Sequence, residues 1–309
     1  MLNLLIALIG GLFLYGGAEG LVRATKRLSR AFHIPEYVIG CTLVALATSM
    51  PELITTLLSQ GMGLSGDVAV GNIVGSNIAN IGLILGIGLL IRPIESVKGI
   101  LKVEIPFQLI MYALLFFVLI SGSLYVGKGL ILAVGLALYL AYQYRTAQRG
   151  KPREVSERSF GFDLLLFALS VIALVVGARF LLHGGVSLAQ MLGVSDRVIG
   201  LTLIAFGSSL PELAAVVVAS YRGRESLVLG NVLGSNIFNP LLILPLAALV
   251  RPLSFSSFFA FRDLPIALGL TVVLGLFSLK GRLGRGAGVT LIVLYGAWLV
   301  RIYLVQGAL

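Results

Sequence analysis

Charge is scarce in this chain. Only 12% of its 309 residues are Asp, Glu, Lys or Arg, where soluble domains carry about 25%. With 58% hydrophobic residues and a mean hydropathy of +1.03, that shortage excludes a large soluble fold and describes a chain that crosses a bilayer many times. Cysteine is nearly absent as well. Cys41 is alone, which excludes an intramolecular disulfide, and its apolar setting suits packing better than redox or metal chemistry. The two histidines, His33 and His183, lie at span ends as interfacial residues, so no imidazole or thiolate set is offered to zinc or copper. The opening stretch MLNLLIALIGGLFLYGGAEGLV has no basic residue before its apolar run, which is longer than a signal-peptide core. It reads as a first spanning helix.

What is present in quantity is apolar sequence and glycine. A span needs about 20 mostly apolar residues, and that ruler predicts ten, near 2–22, 36–60, 67–91, 103–121, 125–144, 161–182, 195–220, 226–250, 263–279 and 286–305. The 38 glycines suit close helix packing in lipid. Lys and Arg cluster in the short connections without aromatic interleaving, so the net charge of +10 points to membrane topology rather than nucleic acid. Connections 1–2, 3–4, 5–6, 7–8 and 9–10 hold 17 of the 23 basic residues. That side is expected to be cytoplasmic, which places both termini outside the cytoplasm.

The two halves repeat. Residues 36–60 match 196–220 with 10 identities in 25, and 67–93 match 226–252 with 13 in 27. Five spans per half is an odd number, so the second half enters from the opposite face. The expected fold is an all-α membrane protein of ten transmembrane helices in two inverted five-helix repeats, 1–144 and 161–309, joined by a polar cytoplasmic linker, 145–160. That architecture belongs to secondary transporters with a site near mid-bilayer.

Spans 2 and 7 carry the costliest residues, in ATSMPEL (47–53) and GSSLPEL (207–213). Thr48, Ser49 and Glu52 share one helix side by their i, i+3 and i+4 spacing, as do Ser208, Ser209 and Glu212. Pro51 and Pro211 supply no N–H to the carbonyls of Ala47 and Gly207, so each helix should open there and line a cavity. A carboxylate at the centre of a membrane helix costs about 2.5–3.5 kcal/mol, which no packing role repays. Carboxylates, hydroxyls and carbonyls together make an oxygen set suited to hard cations. Spans 3 and 8 add GNIVGSNIAN (71–80) and GNVLGSNIFN (230–239). These set Asn72, Ser76 and Asn80, and Asn231, Ser235 and Asn239, on four-residue stripes, with Gly71, Gly75, Gly230 and Gly234 as close-contact faces. Asn72 and Asn231 lie nearer helix ends and stand outside the candidate set. Glu19, followed by Arg23, reads as a snorkelling or paired charge. Glu104 and Asp263 read as acids opening spans 4 and 9, and Trp298 as a packing or belt residue.

These paired motifs resemble the two alpha-repeats of the calcium/cation antiporter superfamily, whose best-known members are sodium/calcium exchangers. The ten-span plan extends the resemblance over essentially the whole chain. It implies alternating access with sodium influx driving calcium extrusion, and Glu52 and Glu212 bridging a calcium site and flanking sodium sites. It also implies ligands from Thr48, Ser49, Ser208 and Ser209, from the carbonyls of Ala45 and Ala205, from Ser76 and Ser235, and from Asn80 and Asn239 at the middle position. Several members carry Asp where this chain has Asn239, so two formal negatives remain and potassium co-transport is disfavoured. Pro240 should free the carbonyl of Asn236 and make span 8 less regular than span 3.

The expected function is therefore antiport of sodium against calcium in a plasma or inner membrane. The expected partners are these two ions and the lipid bilayer, with no resident cofactor, no nucleic acid and no obligatory protein partner. Spans 1 and 6, long and rich in glycine, are candidates to slide. The rivals are calcium/proton exchange on the same fold and, more remotely, a cation channel. An intramembrane enzyme using the two glutamates as acid and base lacks a nucleophile–base pair or metal-binding histidines beside the motifs.

Overall fold

The computed structural model describes residues 2–95, 98–147, 160–193 and 205–307. Most of the expected linker, and the start of span 7, lie outside these residues. Apolar runs that must satisfy their own backbone polar groups become helices: α1 (Leu2–Phe32), α2 (Glu36–Thr48), α3 (Met50–Gly61), α4 (Gly66–Ile91), α5 (Lys98–Ile120), α6 (Val126–Ala147), α7 (Phe160–Met191), α8 (Leu210–Tyr221), α9 (Glu225–Val250), α10 (Phe258–Ser278) and α11 (Arg285–Gly307). Eight of them are long and apolar enough to cross a membrane. The pair α2–α3 makes a ninth span, bent by 41° at its break. Helix α8, 12 residues long and preceded by the single turn Ala205–Gly207, occupies span 7. The only strands among the described residues are β1 (Ser123–Leu124) and β2 (Leu253–Ser254), an antiparallel pair of two residues each.

The chain forms two compact units that cut across the sequence halves. One holds Met1–Thr55 and Ala137–Ser235, the other Thr56–Leu136 and Asn236–Leu309. In the first unit α1 and α7 lie against each other along their length. A Cβ on Gly10 would meet the Gly177 carbonyl at 2.8 Å, one on Gly177 would meet the Gly10 carbonyl at 2.8 Å, and Gly17 and Gly184 are equally closed. Backbones this close need glycine at the crossing. The same unit packs α9 onto α2. A Cβ on Gly230 would sit 2.6 Å from the Tyr37 carbonyl, and one on Gly234 would sit 2.6 Å from the Cys41 Cα. The expected close face of Gly230 and Gly234 is thus present, and the buried Cys41 is part of that packing. Gly71 meets only the Phe259 ring, at 3.6 Å.

In the second unit α11 packs on the C-terminal half of α4, where a Cβ on Gly82 would come within 2.8 Å of the Tyr295 Cβ. A bridge in which Ile94 and Leu283 exchange backbone hydrogen bonds, at 2.9 and 2.8 Å, ties the connections that follow α4 and precede α11.

Regular α-helix gives way to wider π turns at Gly40–Val44, Asn80–Leu85 and Asn239–Ile243. The expectation that Pro240 alone would make span 8 the less regular copy is corrected here. Span 3 widens at the matching residue, Asn80, although Ile81 follows it. A second correction concerns Glu104. Helix α5 begins at Lys98, so Glu104 lies in its second turn and is buried rather than opening the helix. Asp263 also lies inside its span, at the irregular residue of α10 between Phe258–Arg262 and Leu264–Ser278, where it precedes the second segment and accepts a hydrogen bond of 3.0 Å from Trp298 Nε1. The indole therefore has a specific partner beyond its belt role. Glu19 is a paired charge, 2.8 Å from Arg23 and 2.9 Å from Arg222.

Overpacking a closed backbone contact costs about 1–3 kcal/mol. Gly234→Ala is expected to lower the apparent melting temperature of the detergent-solubilised protein by several degrees. Gly16→Ala, on an exposed face with no described atom near, should leave it unchanged or raise it slightly. Thermal unfolding of the two variants side by side checks the assignment.

Candidate functional site

The first unit gathers the carboxylates and hydroxyls. Span 2 breaks at Ser49 (φ −78°, ψ 6°) and span 7 at Ser209 (φ −89°, ψ 9°), each immediately before the first turn of the following helix. Proline sits at the second position of both new helices, where a missing N–H costs nothing. Each break leaves a glutamate, Glu52 or Glu212, in the first turn of a helix, whose N-terminal dipole favours negative charge. The break also alters one expectation. Ala47 keeps a partner, because a backbone N–H at the end of α2 reaches its carbonyl. Ala45 is the busier acceptor, taking the Ser49 N–H at 3.0 Å, Thr48 Oγ1 at 3.3 Å and Ser235 Oγ at 3.5 Å.

The two motifs then pair reciprocally. Ser209 Oγ donates to Glu52 at 2.8 Å, and Ser49 Oγ donates to Glu212 at 3.2 Å. Both glutamates are only 1% exposed, and each accepts a serine hydroxyl from the opposite motif. Glu212 Oε2 has no hydrogen-bond partner among the described residues. Thr48, Ser49 and Ser209 are buried beside them, and Ser208 is half-buried. Thr48 Oγ1 also lies 2.9 Å from Asn231 Oδ1, the nearer of the two acceptors open to its single proton. Asn231, set aside on sequence because it lies near a helix end, therefore belongs to this cluster. Ala205 opens the turn before α8, and its side chain lies outside the described residues.

The second unit gathers the amides. Asn80 Nδ2 donates to Asn236 Oδ1 at 3.0 Å, and Asn239 Nδ2 donates to Asn77 Oδ1 at 3.0 Å. Asn77 and Asn236 were missed by the stripe argument, which follows every fourth residue. Their signal was the GSN triplet, which both motifs keep in register (75–77 and 234–236). The carbonyl of Asn236 has indeed lost its helical partner to Pro240, and it accepts from Asn77 Nδ2 at 2.9 Å. Ser76 is buried in α4. Asn72 Nδ2 donates to Thr56 Oγ1 at 3.0 Å in the same unit.

Eight long apolar helices and a bent ninth span, with two carboxylates buried in the first turns of α3 and α8, define a multi-pass membrane protein with an oxygen-rich interior. The comparisons narrow the class. The profile of the sodium/calcium exchanger protein family matches residues 2–145 and again 162–304. The sodium/calcium exchanger MaX1 of Methanosarcina acetivorans is 32% identical over 97% of this chain and 98% of its own length. The inner membrane protein YrbG of Escherichia coli is 32% identical over 96% of both chains. A structure of the sodium-calcium exchanger NCX_Mj soaked with sodium and strontium superposes with a TM-score of 0.86 at 31% identity, covering 97% of this chain and 98% of that one. The chain belongs to the sodium/calcium exchanger family and is a membrane cation exchanger.

Burying a carboxyl group in an apolar fold costs stability. In chelator-treated, sodium-free buffer, Glu52→Gln and Glu212→Gln are each expected to raise the apparent melting temperature by several degrees over the parent. A fall of similar size would mean that the carboxylates serve the fold.

Proposed function

We propose that this chain is a secondary antiporter that exchanges sodium for calcium by alternating access in a plasma or inner membrane. The observation that carries the reading is the reciprocal pairing of Glu52 with Ser209 and of Glu212 with Ser49, all four side chains at most 2% exposed. One divalent ion or several monovalent ions would neutralise the two carboxylates. Moving them through the barrier while empty would expose bare charge to lipid, and that cost couples the two fluxes. In this reading Glu52 and Glu212 supply the charge. Thr48, Ser49, Ser208 and Ser209 supply hydroxyl oxygen, the carbonyls of Ala45 and Ala205 supply backbone oxygen, and Ser76, Asn80, Ser235 and Asn239 are further oxygen ligands. Hard cations with oxygen ligands fit this donor set.

Support also comes from the relatives. MaX1 is named a sodium/calcium exchanger, and the NCX_Mj crystals were soaked with sodium and with calcium or strontium. The asparagines at 80 and 239 keep the formal charge of the ligand set at two negatives, which disfavours a potassium co-substrate. The two repeats, 1–144 and 161–309, would be inverted about the plane of the membrane. The connections rich in Lys and Arg would face the cytoplasm and both termini would face away from it. Helices α1 and α7, packed on each other through glycine, are the candidates to slide.

Protein in sodium-loaded vesicles should take up calcium when diluted into sodium-free buffer, and Glu52→Gln and Glu212→Gln should reduce that uptake to background. Uptake that ignores sodium and follows an imposed pH gradient would replace this reading with calcium/proton exchange. Flux that neither saturates nor shows counterflow would indicate a channel.

A further inference from the structure

Four asparagines of the second unit form a closed relay whose direction is fixed by chemistry. Asn77 Nδ2 lies 2.9 Å from the backbone oxygen of Asn236, and Asn236 Nδ2 lies 3.2 Å from the backbone oxygen of Asn77. A backbone carbonyl can only accept, so each of these side chains must present its NH2 to it. Both side-chain oxygens are thereby committed as acceptors facing their other neighbours. Asn80 and Asn239 must in turn present NH2 groups to them, and do so at 3.0 Å each. Two steps from the backbone, no choice of amide orientation is left. The carbonyl oxygens Oδ1 of Asn80 and of Asn239 end the relay. Both residues are 1% exposed, and both oxygens have no hydrogen-bond partner among the described residues. The Tyr112 hydroxyl, 3.4 Å from Nδ2 of both Asn77 and Asn236, stands between the two arms.

A buried carbonyl without a partner costs about 1–3 kcal/mol, and here the arrangement enforces that loss twice, symmetrically. We propose that Asn77 and Asn236 are positioning residues, which hold the amide nitrogens of Asn80 and Asn239 so that their carbonyl oxygens stay available to a transported cation. The inference rests on the cation reading of the preceding section and adds a rule of specificity to it. Position 239 must donate a hydrogen bond to Asn77 Oδ1. An ionised Asp there would set a carboxylate oxygen against that acceptor, so the relay selects a neutral amide and keeps the charge of the ligand set at two.

The test measures calcium-dependent thermal stabilisation of the purified protein, and its half-maximal calcium concentration, for a double-mutant cycle at 77 and 239. Asn239→Leu removes the ligand oxygen and should raise the half-maximal calcium concentration about tenfold. Asn77→Leu should do nearly the same without touching the ligand residue. The double variant should be no worse than Asn239→Leu alone. Asn236→Leu with Asn80→Leu repeats the cycle through the other arm and carries the test if Asn77→Leu does not fold. Tyr112→Phe, which leaves both backbone anchors in place, should change the concentration less than twofold. A merely structural asparagine would lower the melting temperature in calcium-free buffer and leave calcium affinity unaltered. That result, or full additivity in both cycles, overturns the proposal. Loss of calcium response in Glu52→Gln with unaltered response in the asparagine variants would retain the cation site and remove the relay. An unaltered response in Glu52→Gln would remove the underlying reading.

Discussion

Two carboxylates held out of water inside an apolar fold are the constraint around which the rest is arranged. Each is worth several kcal/mol of destabilisation in a membrane interior. The chain answers with local devices: a helix N-terminus under each glutamate, a serine hydroxyl from the opposite motif on each carboxylate, and a proline that starts each new helix without wasting a donor. None of these cancels the charge. They reduce its cost enough for the fold to persist, and under the proposed function a bound cation would supply the remaining compensation.

The breaks that serve the glutamates depend on tight packing elsewhere. A helix interrupted in its middle loses the continuity that keeps an isolated helix straight, so its neighbours must hold it. Around span 2 that support is the near backbone contact between α2 and α9, made possible by Gly230 and Gly234. The π turns at Gly40–Val44, Asn80–Leu85 and Asn239–Ile243 have a related effect. In the second unit Pro240 leaves the Asn236 carbonyl without its α-helical N–H, and Asn77 Nδ2 takes it, while Asn236 Nδ2 adds to the backbone N–H that already reaches the Asn77 carbonyl. Polar groups in both units are thus matched pairwise between the repeats, as expected of a duplicated sequence.

Much of this was legible beforehand for definite reasons. Hydropathy gave the spans because a bilayer tolerates few alternatives to an apolar helix. The repeated PEL motifs exposed the glutamates because buried charge is too costly to be duplicated by drift. Other features were not legible. A four-residue stripe points to one helix face, so it picked out Asn80 and Asn239 and passed over Asn77 and Asn236, whose partners come from another helix. Asn231 was discounted for its position along its own helix, yet Thr48 reaches it. Glu104 was misplaced because the apolar run starts later than the helix does. The effect of Pro240 was read correctly at the Asn236 carbonyl and wrongly as an asymmetry, since Asn80 opens the same wide turn without a proline.

The sequence by itself determined that the chain spans a membrane, that it is duplicated, and that two glutamates flanked by hydroxyls sit where lipid should be. All three follow from composition, register and the energetic cost of buried charge, which are properties of residues taken along the chain. Only the tertiary structure decided which hydroxyl serves which carboxylate, and which way each amide is turned. Those are matters of distance between segments some 160 residues apart. No periodicity within one helix encodes the partner that a side chain meets on another.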